Sequence, residues 1–561
     1  MITTEKSGIS LFVEQCLNNK LTHFICSPGS RNAPIVIALD EHPEIKTFII
    51  NDERSAGFYA IGMAQQLKSP VAVVCTSGSA MLNYYPAVAE AYYQCVPIVV
   101  ISADRPKEWV NHGDGQTIVQ NGVYKNHIRY EMEVPEKVNS INEIDCIKSK
   151  MNSAFHYCNT FWKGPIHFNI PISEPLYDTI EVDYFKSKLN FLKVHEEKID
   201  LDLFSEQWVS SKKKMILCGQ LSKNIPLQNL LSEIAKDTSV VVLVENTSNL
   251  VDSNFVQCID RMLNSIDEGQ IQFYQPDFLV TIGGAVVSKR IKKFLRKANI
   301  KFHWKIGFEF PEMNTYRHLY KSIRCLPYTF FSSIMHKNGL INNSTYGNMW
   351  KQNDYLIKDK LSDFYSKIEY SDLAVYEIIL DYLPEDSIFH MGNSSVVRYC
   401  QLFDSIKSIS YYSNRGTSGI DGSLSTACGA SIIAKDKCNI VIIGDLSFFY
   451  DSNALWSRYL NQNLRIILIN NGGGGIFKII DGPSKTNQLD DFFVSKHQNK
   501  AKGICDAFDI NYFQAYNIKE IENQMEEFYD LTDSNRPKLI EIFTPGNINH
   551  IVLRNFFETI K

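Results

Sequence analysis

A chain of 561 residues is too long for one hydrophobic core, so two to four domains are expected. Its 44% hydrophobic and 21% charged residues describe a folded globular protein, and a net charge of −5 argues against a nucleic-acid surface or an anionic membrane partner. The thirteen cysteines include no C-x-x-C pair, which argues against a zinc site or a disulfide framework and for reduced thiols in a cytoplasmic protein.

Met1–Ser10 is polar where a secretion signal would be apolar, and no run approaches the length of a membrane span. Further along, short apolar runs alternate with helical patterns. His23–Cys26 reads as a strand, Arg31–Leu39 as a helix with Pro34 in its first turn, Thr47–Ile50 as a strand and Glu53–Leu67 as a helix. Val71–Cys75 is a strand, Ser79–Gln94 a helix and Ile98–Ser102 a strand. Unbroken apolar runs of this kind belong to parallel strands covered on both faces, whose C-terminal loops bind ligands.

A polar stretch at 181–214 reads as a link between domains. A second α/β set runs through Met215–Cys218, Val240–Val244 and Phe278–Ile282 and is expected to end near Tyr328. The Asn-, Lys- and Asp-rich segment Lys337–Asp363 reads as a connection. A third set comprises Ser387–Met391, Ile409–Tyr412, Ile440–Ile443, Arg465–Ile469 and Leu539–Phe543. The expected architecture is three doubly wound parallel-sheet α/β domains, at 1–180, 200–335 and 365–561.

Two strands of the third set end in polar tips, Gly444-Asp445-Leu446 and Asn470-Asn471, and Asp445 and Asn471 lie 26 positions apart. That is the length of one strand–helix–strand unit, so both tips share a carboxyl edge. A hard divalent cation there would take a carboxylate oxygen, an amide oxygen and a carbonyl from the glycine-rich turn that follows. Such a cation suits a diphosphate, and the pattern points to thiamine diphosphate. Asp445 alone would read as a helix cap and Asn470-Asn471 alone as a turn. Gly113-Asp114-Gly115 follows no strand and has no matching Asn pair.

Glu53 opens a helix, where a glutamate ordinarily answers the helix dipole. Thiamine diphosphate also needs a carboxyl group against its aminopyrimidine, and Glu53 suits that role if two domains meet across a subunit interface. Cations cluster after strand ends: Arg31, Arg105, Arg398 (four residues past Ser394) and Arg415, with Lys289 and Arg290 a looser fit. Any one of them alone reads as a surface cation. Together they anticipate substrates with several carboxylates.

On these residues the chain resembles the 2-succinyl-5-enolpyruvyl-6-hydroxy-3-cyclohexene-1-carboxylate synthase family, thiamine diphosphate transferases of menaquinone biosynthesis. The matching segments are Ser27-Pro28-Gly29-Ser30-Arg31, Asp52-Glu53-Arg54-Ser55-Ala56, Thr76-Ser77-Gly78-Ser79-Ala80, Asp104-Arg105-Pro106, Gly392-Asn393-Ser394 with Arg398, Asn414-Arg415-Gly416, Ser418-Gly419-Ile420-Asp421-Gly422 and Gly444-Asp445-Leu446-Ser447. The resemblance implies decarboxylation of 2-oxoglutarate and 1,4-addition of the succinyl carbanion equivalent to isochorismate. It implies that Glu53 activates the aminopyrimidine, that Ile420 wedges beneath the cofactor, and that Asn393, Ser394, Gly444, Leu446 and Ser447 help bind it. Asp445, Asn471 and the Gly473 carbonyl would hold magnesium or manganese. Ser394, Arg398 and Arg415 would receive 2-oxoglutarate. Ser30, Arg31, Arg105, Gln116, Lys289 and Arg290 would receive isochorismate, with Ile476, Phe477 and Ile480 as an apolar wall. A homodimer or homotetramer is implied.

The chain departs from the family at Gly115, where an Asn commonly precedes the glutamine, and at Gly472, where a third Asn often stands. Three other readings stay open from the residues. A different thiamine carboligase or decarboxylase acting on pyruvate-like acids would need fewer cations. A non-catalytic thiamine diphosphate binder would not need Glu53. A dinucleotide enzyme would need G-x-G-x-x-G, and Gly472–Gly475 lacks that spacing.

Overall fold

The computed structural model describes residues 1–182, 201–480, 482–532 and 535–561. The expected link at 181–214 therefore lies, over 183–200, outside the described residues. Two compact units form. The first comprises Met1–Val194, Asn414–Asn439 and Tyr450–Leu464; the second comprises His195–Ser413, Ile440–Phe449 and Arg465–Lys561.

The first unit holds a six-stranded parallel sheet in the spatial order Lys46–Ile49, His23–Cys26, Val71–Cys75, Ile98–Asp104, Ile166–Pro171, Tyr130–Glu133. Val71–Cys75 and Ile98–Asp104 are buried at every position, as their apolar runs require. The edge strands Lys46–Ile49 and Tyr130–Glu133 are partly polar and partly exposed. The helical pattern read across 79–94 is two helices, Ser79–Asn83 and Tyr85–Gln94, parted at Tyr84. Pro86 explains the break, since a proline is tolerated only in the first turn of a new helix.

The second unit carries two parallel sheets. One has five strands in the order Val240–Leu243, Lys214–Cys218, Phe278–Ile282, Phe302–Ile306, Leu319–Ile323. The other has six, in the order Ser410–Tyr412, Ile388–Met391, Asn439–Gly444, Leu464–Asn470, Lys538–Phe543, Asn511–Ala515. The segment expected to be a connection, Lys337–Asp363, is a correction. It contains most of a 20-residue helix, Tyr346–Tyr365, whose buried residues include Tyr346, Trp350, Asp354, Ile357 and Leu361. These recur at helical spacing, but the Asn, Lys and Asp residues between them mask the stripe. The helix Pro327–Asn338 likewise extends the core of the five-stranded sheet past Tyr328, with Phe330, Phe331 and Ile334 buried.

In each of these three parallel sheets the first strand in sequence lies between the second and the third. The chain therefore reverses its winding there, and the loops after the first and third strands meet at the carboxyl edge. A glycine directly follows the first strand in the second unit's two sheets, and in the first unit's sheet Gly29 stands three residues past it. A Cβ on Gly29 would overlap the Thr76 side chain, one on Gly219 would overlap the Gly284 carbonyl, and one on Gly392 would press on the Ile442 carbonyl. The Gly219 and Gly392 amides also donate across the gap, to Ile282 O at 2.9 Å and Ile442 O at 2.8 Å.

Within the first unit, the helices Glu53–Leu67 and Ser423–Ile433 cross on glycine. A Cβ on Gly62 would overlap the Thr426 carbonyl, and one on Gly429 would overlap the Tyr59 carbonyl. Asp451 caps the second helix, accepting from Ser425 N at 2.8 Å and from Ser425 Oγ at 2.7 Å. None of the thirteen cysteines forms a disulfide, and no helix among the described residues is long and apolar enough to cross a membrane. Gly62→Val should destabilise the protein by about 3 kcal/mol, because the added methyls meet backbone that has no rotamer to change. Urea denaturation with an unchanged midpoint would contradict the crossing.

Candidate active site

In the six-stranded sheet of the second unit, the strands Asn439–Gly444 and Leu464–Asn470 are neighbours, so Asp445 and Asn471 lie at adjacent tips. Asp445 is 3% exposed. Its Oδ2 accepts from Gly472 N and Gly473 N, each at 2.9 Å, and its Oδ1 accepts from Leu446 N at 2.6 Å. Burial raises the Asp445 pKa, opposed by these amides and by His497. His497 Nε2 lies 3.4 Å from Oδ2 and makes no hydrogen bond among the described residues. Gly472 and Gly473 have φ of +78° and +143°, so glycine suits both positions of a turn that folds its amides onto the carboxylate.

Asp372 was not legible as part of this site. It is fully buried and accepts from Asn471 Nδ2 at 2.9 Å and from Thr544 Oγ1. A carboxylate accepts only, so Asn471 must turn its NH₂ toward Asp372 and its oxygen away. Burial pushes the Asp372 carboxyl up to about 6, against the pull of Thr544 and Asn471. Asn470 is held separately, by Glu541 Oε1 at 2.7 Å and Asn499 O at 2.9 Å. A cavity of about 460 Å³ opens beside this turn, lined in part by Asn471, Gly473, Lys478, His497 and Asn547. The carboxylate, amide and main-chain oxygens near it are the donor types a hard divalent cation takes, and they fit magnesium or manganese.

At the switch of the same sheet, Asn393 is buried and Ser394, with φ +71°, precedes the short helix Ser395–Cys400. Arg398 reaches back from that helix, donating from Nη1 to the Ser394 carbonyl. A second carboxylate missed in the sequence, Asp260, is half-buried within electrostatic range of both Arg398 and Arg290. Burial raises its pKa, while a hydrogen bond from Ser288 and the two arginines pull it down. Ser288 caps the helix Lys289–Lys297, so Lys289 and Arg290 open a helix rather than follow a strand directly. Leu446 and Ser447 occupy the helix Asp445–Tyr450 behind Gly444. Ile476 is buried in the helix Ile476–Ile479, and the Phe477 ring lies 5.7 Å from that of Phe493 with Ile480 just beyond.

In the first unit, Glu53 is half-buried at the start of its helix, and burial raises its pKa, opposed by a backbone hydrogen bond. Arg31 is almost fully buried. Its Nη1 donates to Ile172 O at 3.0 Å and its Nη2 pairs with Glu174 at 3.2 Å, whereas Nε has no hydrogen-bond partner among the described residues. Arg105 Nη2 donates to Gly115 O at 3.3 Å. Both guanidiniums face Trp109, at 5.6 and 5.7 Å from its ring centre. Ser30, next to Arg31, and Gln116, next to Gly115, are exposed, and the Gln116 backbone lies against Gly78. Ser30, Arg31, Arg105 and Gln116 thus belong to the loops at this sheet's switch and its neighbouring strand tip. Trp109 gave no sequence signal beyond standing four residues after Arg105. Arg415 and Ile420 lie in the loop that leads to the helix Ser423–Ile433.

A network behind Arg105 fixes its strand tip. Asp104 accepts from Arg105 N at 2.7 Å and from Asn169 Nδ2 at 2.8 Å. Asn169 Oδ1 accepts from Ser102 Oγ and from Gln120 Nε2, each at 2.8 Å, and Gln120 Oε1 accepts from Gly78 N at 2.8 Å. Burial pushes the Asp104 carboxyl up to about 6.

Comparison with known proteins agrees with this layout. The chain matches the N-terminal TPP binding domain of thiamine pyrophosphate enzymes over residues 6–124, the middle domain of thiamine pyrophosphate over 182–389, and the C-terminal TPP binding domain over 391–542. It is 42% identical to a 2-succinyl-5-enolpyruvyl-6-hydroxy-3-cyclohexene-1-carboxylate synthase of Flavobacterium psychrophilum and to one of Christiangramia forsetii, over 98% of each chain in both cases. It is 35% identical to the synthase of that name from Bacteroides thetaiotaomicron, over 100% of this chain and 99% of the relative. With near-complete coverage at these identities, the chain belongs to the 2-succinyl-5-enolpyruvyl-6-hydroxy-3-cyclohexene-1-carboxylate synthase family of thiamine pyrophosphate enzymes.

Proposed function

We propose that this enzyme decarboxylates 2-oxoglutarate and adds the succinyl unit to isochorismate by 1,4-addition, forming 2-succinyl-5-enolpyruvyl-6-hydroxy-3-cyclohexene-1-carboxylate for menaquinone biosynthesis. The observation that carries the reading is the all-oxygen donor set at the Asp445 and Asn471 tips of a sheet whose switch loop leads into the helix that carries Arg398. When bound, thiamine diphosphate supplies the sink for the electron pair left as carbon dioxide departs, and magnesium or manganese anchors its diphosphate.

Asp445, the Asn471 amide oxygen and the Gly473 carbonyl would hold the ion. Asn393, Ser394, Gly444, Leu446 and Ser447 would line the cofactor's bed, with Ile420 beneath its rings. Glu53 keeps a proton available to the aminopyrimidine, a role that its burial-raised pKa favours. Ser394, Arg398 and Arg415 hold the 2-oxoglutarate carboxylates. Ser30, Arg31, Arg105, Gln116, Lys289 and Arg290 hold those of isochorismate. Two polyanions repel in water, and fixed cations both cancel that repulsion and orient the reacting carbons. Ile476, Phe477 and Ile480 would form an apolar wall that keeps water from the reacting carbons. The working form is a cytoplasmic homodimer or homotetramer.

Three measurements test the reading. Purified protein with thiamine diphosphate, Mg²⁺ and 2-oxoglutarate should give the succinylated product by mass spectrometry only when isochorismate is added. Pyruvate consumption in place of 2-oxoglutarate, with no isochorismate-dependent product, would sink it. Arg415→Ala should raise KM for 2-oxoglutarate on the order of 10- to 100-fold, the value of a lost charge-assisted contact, with thiamine diphosphate affinity little changed. Asp445→Ala should abolish Mg²⁺-dependent thiamine diphosphate binding in calorimetry, and retained binding would remove Asp445 from the ion's coordination.

A further inference from the structure

The residues on either side of Arg415 are held by one helix of the first unit, Tyr85–Gln94. Glu90 lies on that helix and is 1% exposed. Its Oε1 accepts from Gly416 N at 2.7 Å, and its Oε2 accepts from both Thr417 N and Thr417 Oγ1 at 2.6 Å. One turn further, Gln94 donates to Glu90 Oε1 and, at 3.5 Å, to Asn414 Oδ1. Asn414 in turn donates to Thr426 Oγ1 at 3.0 Å. Gln94 also accepts from Gln65 at 3.2 Å, which ties the arrangement to the helix that Glu53 opens. The contact is close enough to exclude a side chain at 416: a Cβ there would overlap the Glu90 carbonyl oxygen and lie 3.1 Å from its carboxylate carbon.

A buried carboxylate with two successive amides and a hydroxyl on its two oxygens is a stiff clamp. Charge-assisted bonds are short and directional, and both oxygens are used, so the peptide Arg415–Gly416 cannot rotate without breaking them. A neutral amide of the same shape offers one acceptor and turns an NH₂ toward an N–H group. We infer that Glu90 is a positioning residue for substrate binding: through Gly416 and Thr417 it fixes the backbone from which Arg415 reaches the carboxylate of the oxoacid donor. The inference rests on the proposal that Arg415 binds 2-oxoglutarate. Displacement of a positioning group by about 1 Å can cost on the order of 100-fold in rate, so a clamp on the loop acts on substrate use without touching the substrate.

The test compares Glu90→Gln, Thr417→Val, Arg415→Ala and the double variant Glu90→Gln/Arg415→Ala in the full-length holoenzyme with Mg²⁺. Glu90→Gln should raise KM for 2-oxoglutarate about 10-fold, the scale of a lost hydrogen bond to a charged group, while calorimetric thiamine diphosphate affinity stays within about 2-fold. Amide hydrogen exchange across 413–417 should quicken in the same variant. Thr417→Val removes one hydroxyl bond and should shift KM the same way by about 3-fold; it decides the matter if Glu90→Gln fails to fold. The double variant should be no worse than Arg415→Ala, because the clamp has nothing left to position. The inference falls if KM stays unchanged while exchange quickens, if the two single effects multiply in the double variant, or if cofactor affinity drops in step with turnover. Unchanged 2-oxoglutarate kinetics in Arg415→Ala would instead overturn the reading of the site itself.

Discussion

The constraint on which the rest depends is the reversal of strand order, repeated in all three parallel sheets. It brings two loops close together at the carboxyl edge. Gly29, Gly219 and Gly392 leave room for that approach, since a Cβ on any of them would crowd the chain facing it. Once the loops meet, whatever follows each glycine is delivered to the carboxyl edge: Ser30 and Arg31 in one sheet, Asn393 and Ser394 in another. The site residues are therefore dictated less by their own contacts than by the order in which the strands were laid down.

Buried carboxylates then set the finer geometry. Asp372 turns the Asn471 amide, Asp260 accepts from Ser288 within electrostatic range of Arg290 and Arg398, Glu90 grips the Arg415 loop, and Asp104 holds the backbone at Arg105. Each is satisfied by hydrogen bonds or nearby cations, which is what allows a charged group to sit out of water. The proposed substrate-binding groups are arginines, a lysine, serines and a glutamine, while these four acids stand behind them or behind the proposed cofactor ligands. This division suits a pocket for polyanions, since an acid in direct contact with substrate would repel it.

Much of the framework was legible because buried parallel strands are unbroken apolar runs. His23–Cys26, Val71–Cys75 and Phe278–Ile282 stand where the sequence placed them. The edge strands Tyr130–Glu133 and Asn511–Ala515 were not legible, because half-exposed strands mix polar and apolar residues and resemble loops. The helix Tyr346–Tyr365 was read as a connection because its composition is polar even though its buried stripe is periodic. In the proposed site, Asp445 and Asn471 could be named from their spacing at two strand tips, whereas Ser30, Gln116, Ser394 and Ile420 came only through the family resemblance. Asp260, Asp372 and Glu90 could not, since their partners are distant in sequence and nothing local marks them.

The crossing of Glu53–Leu67 with Ser423–Ile433 has a mechanical corollary. One helix begins with the proposed proton-handling Glu53, and the other is entered through the proposed wedge Ile420. Main chain rests on main chain at Gly62 and Gly429, so thermal motion finds no compressible side chain there to absorb a slip. The acid and the wedge are thereby mounted on a single stiff chassis, and their separation should hold steady while the loops around them flex to admit and release anions.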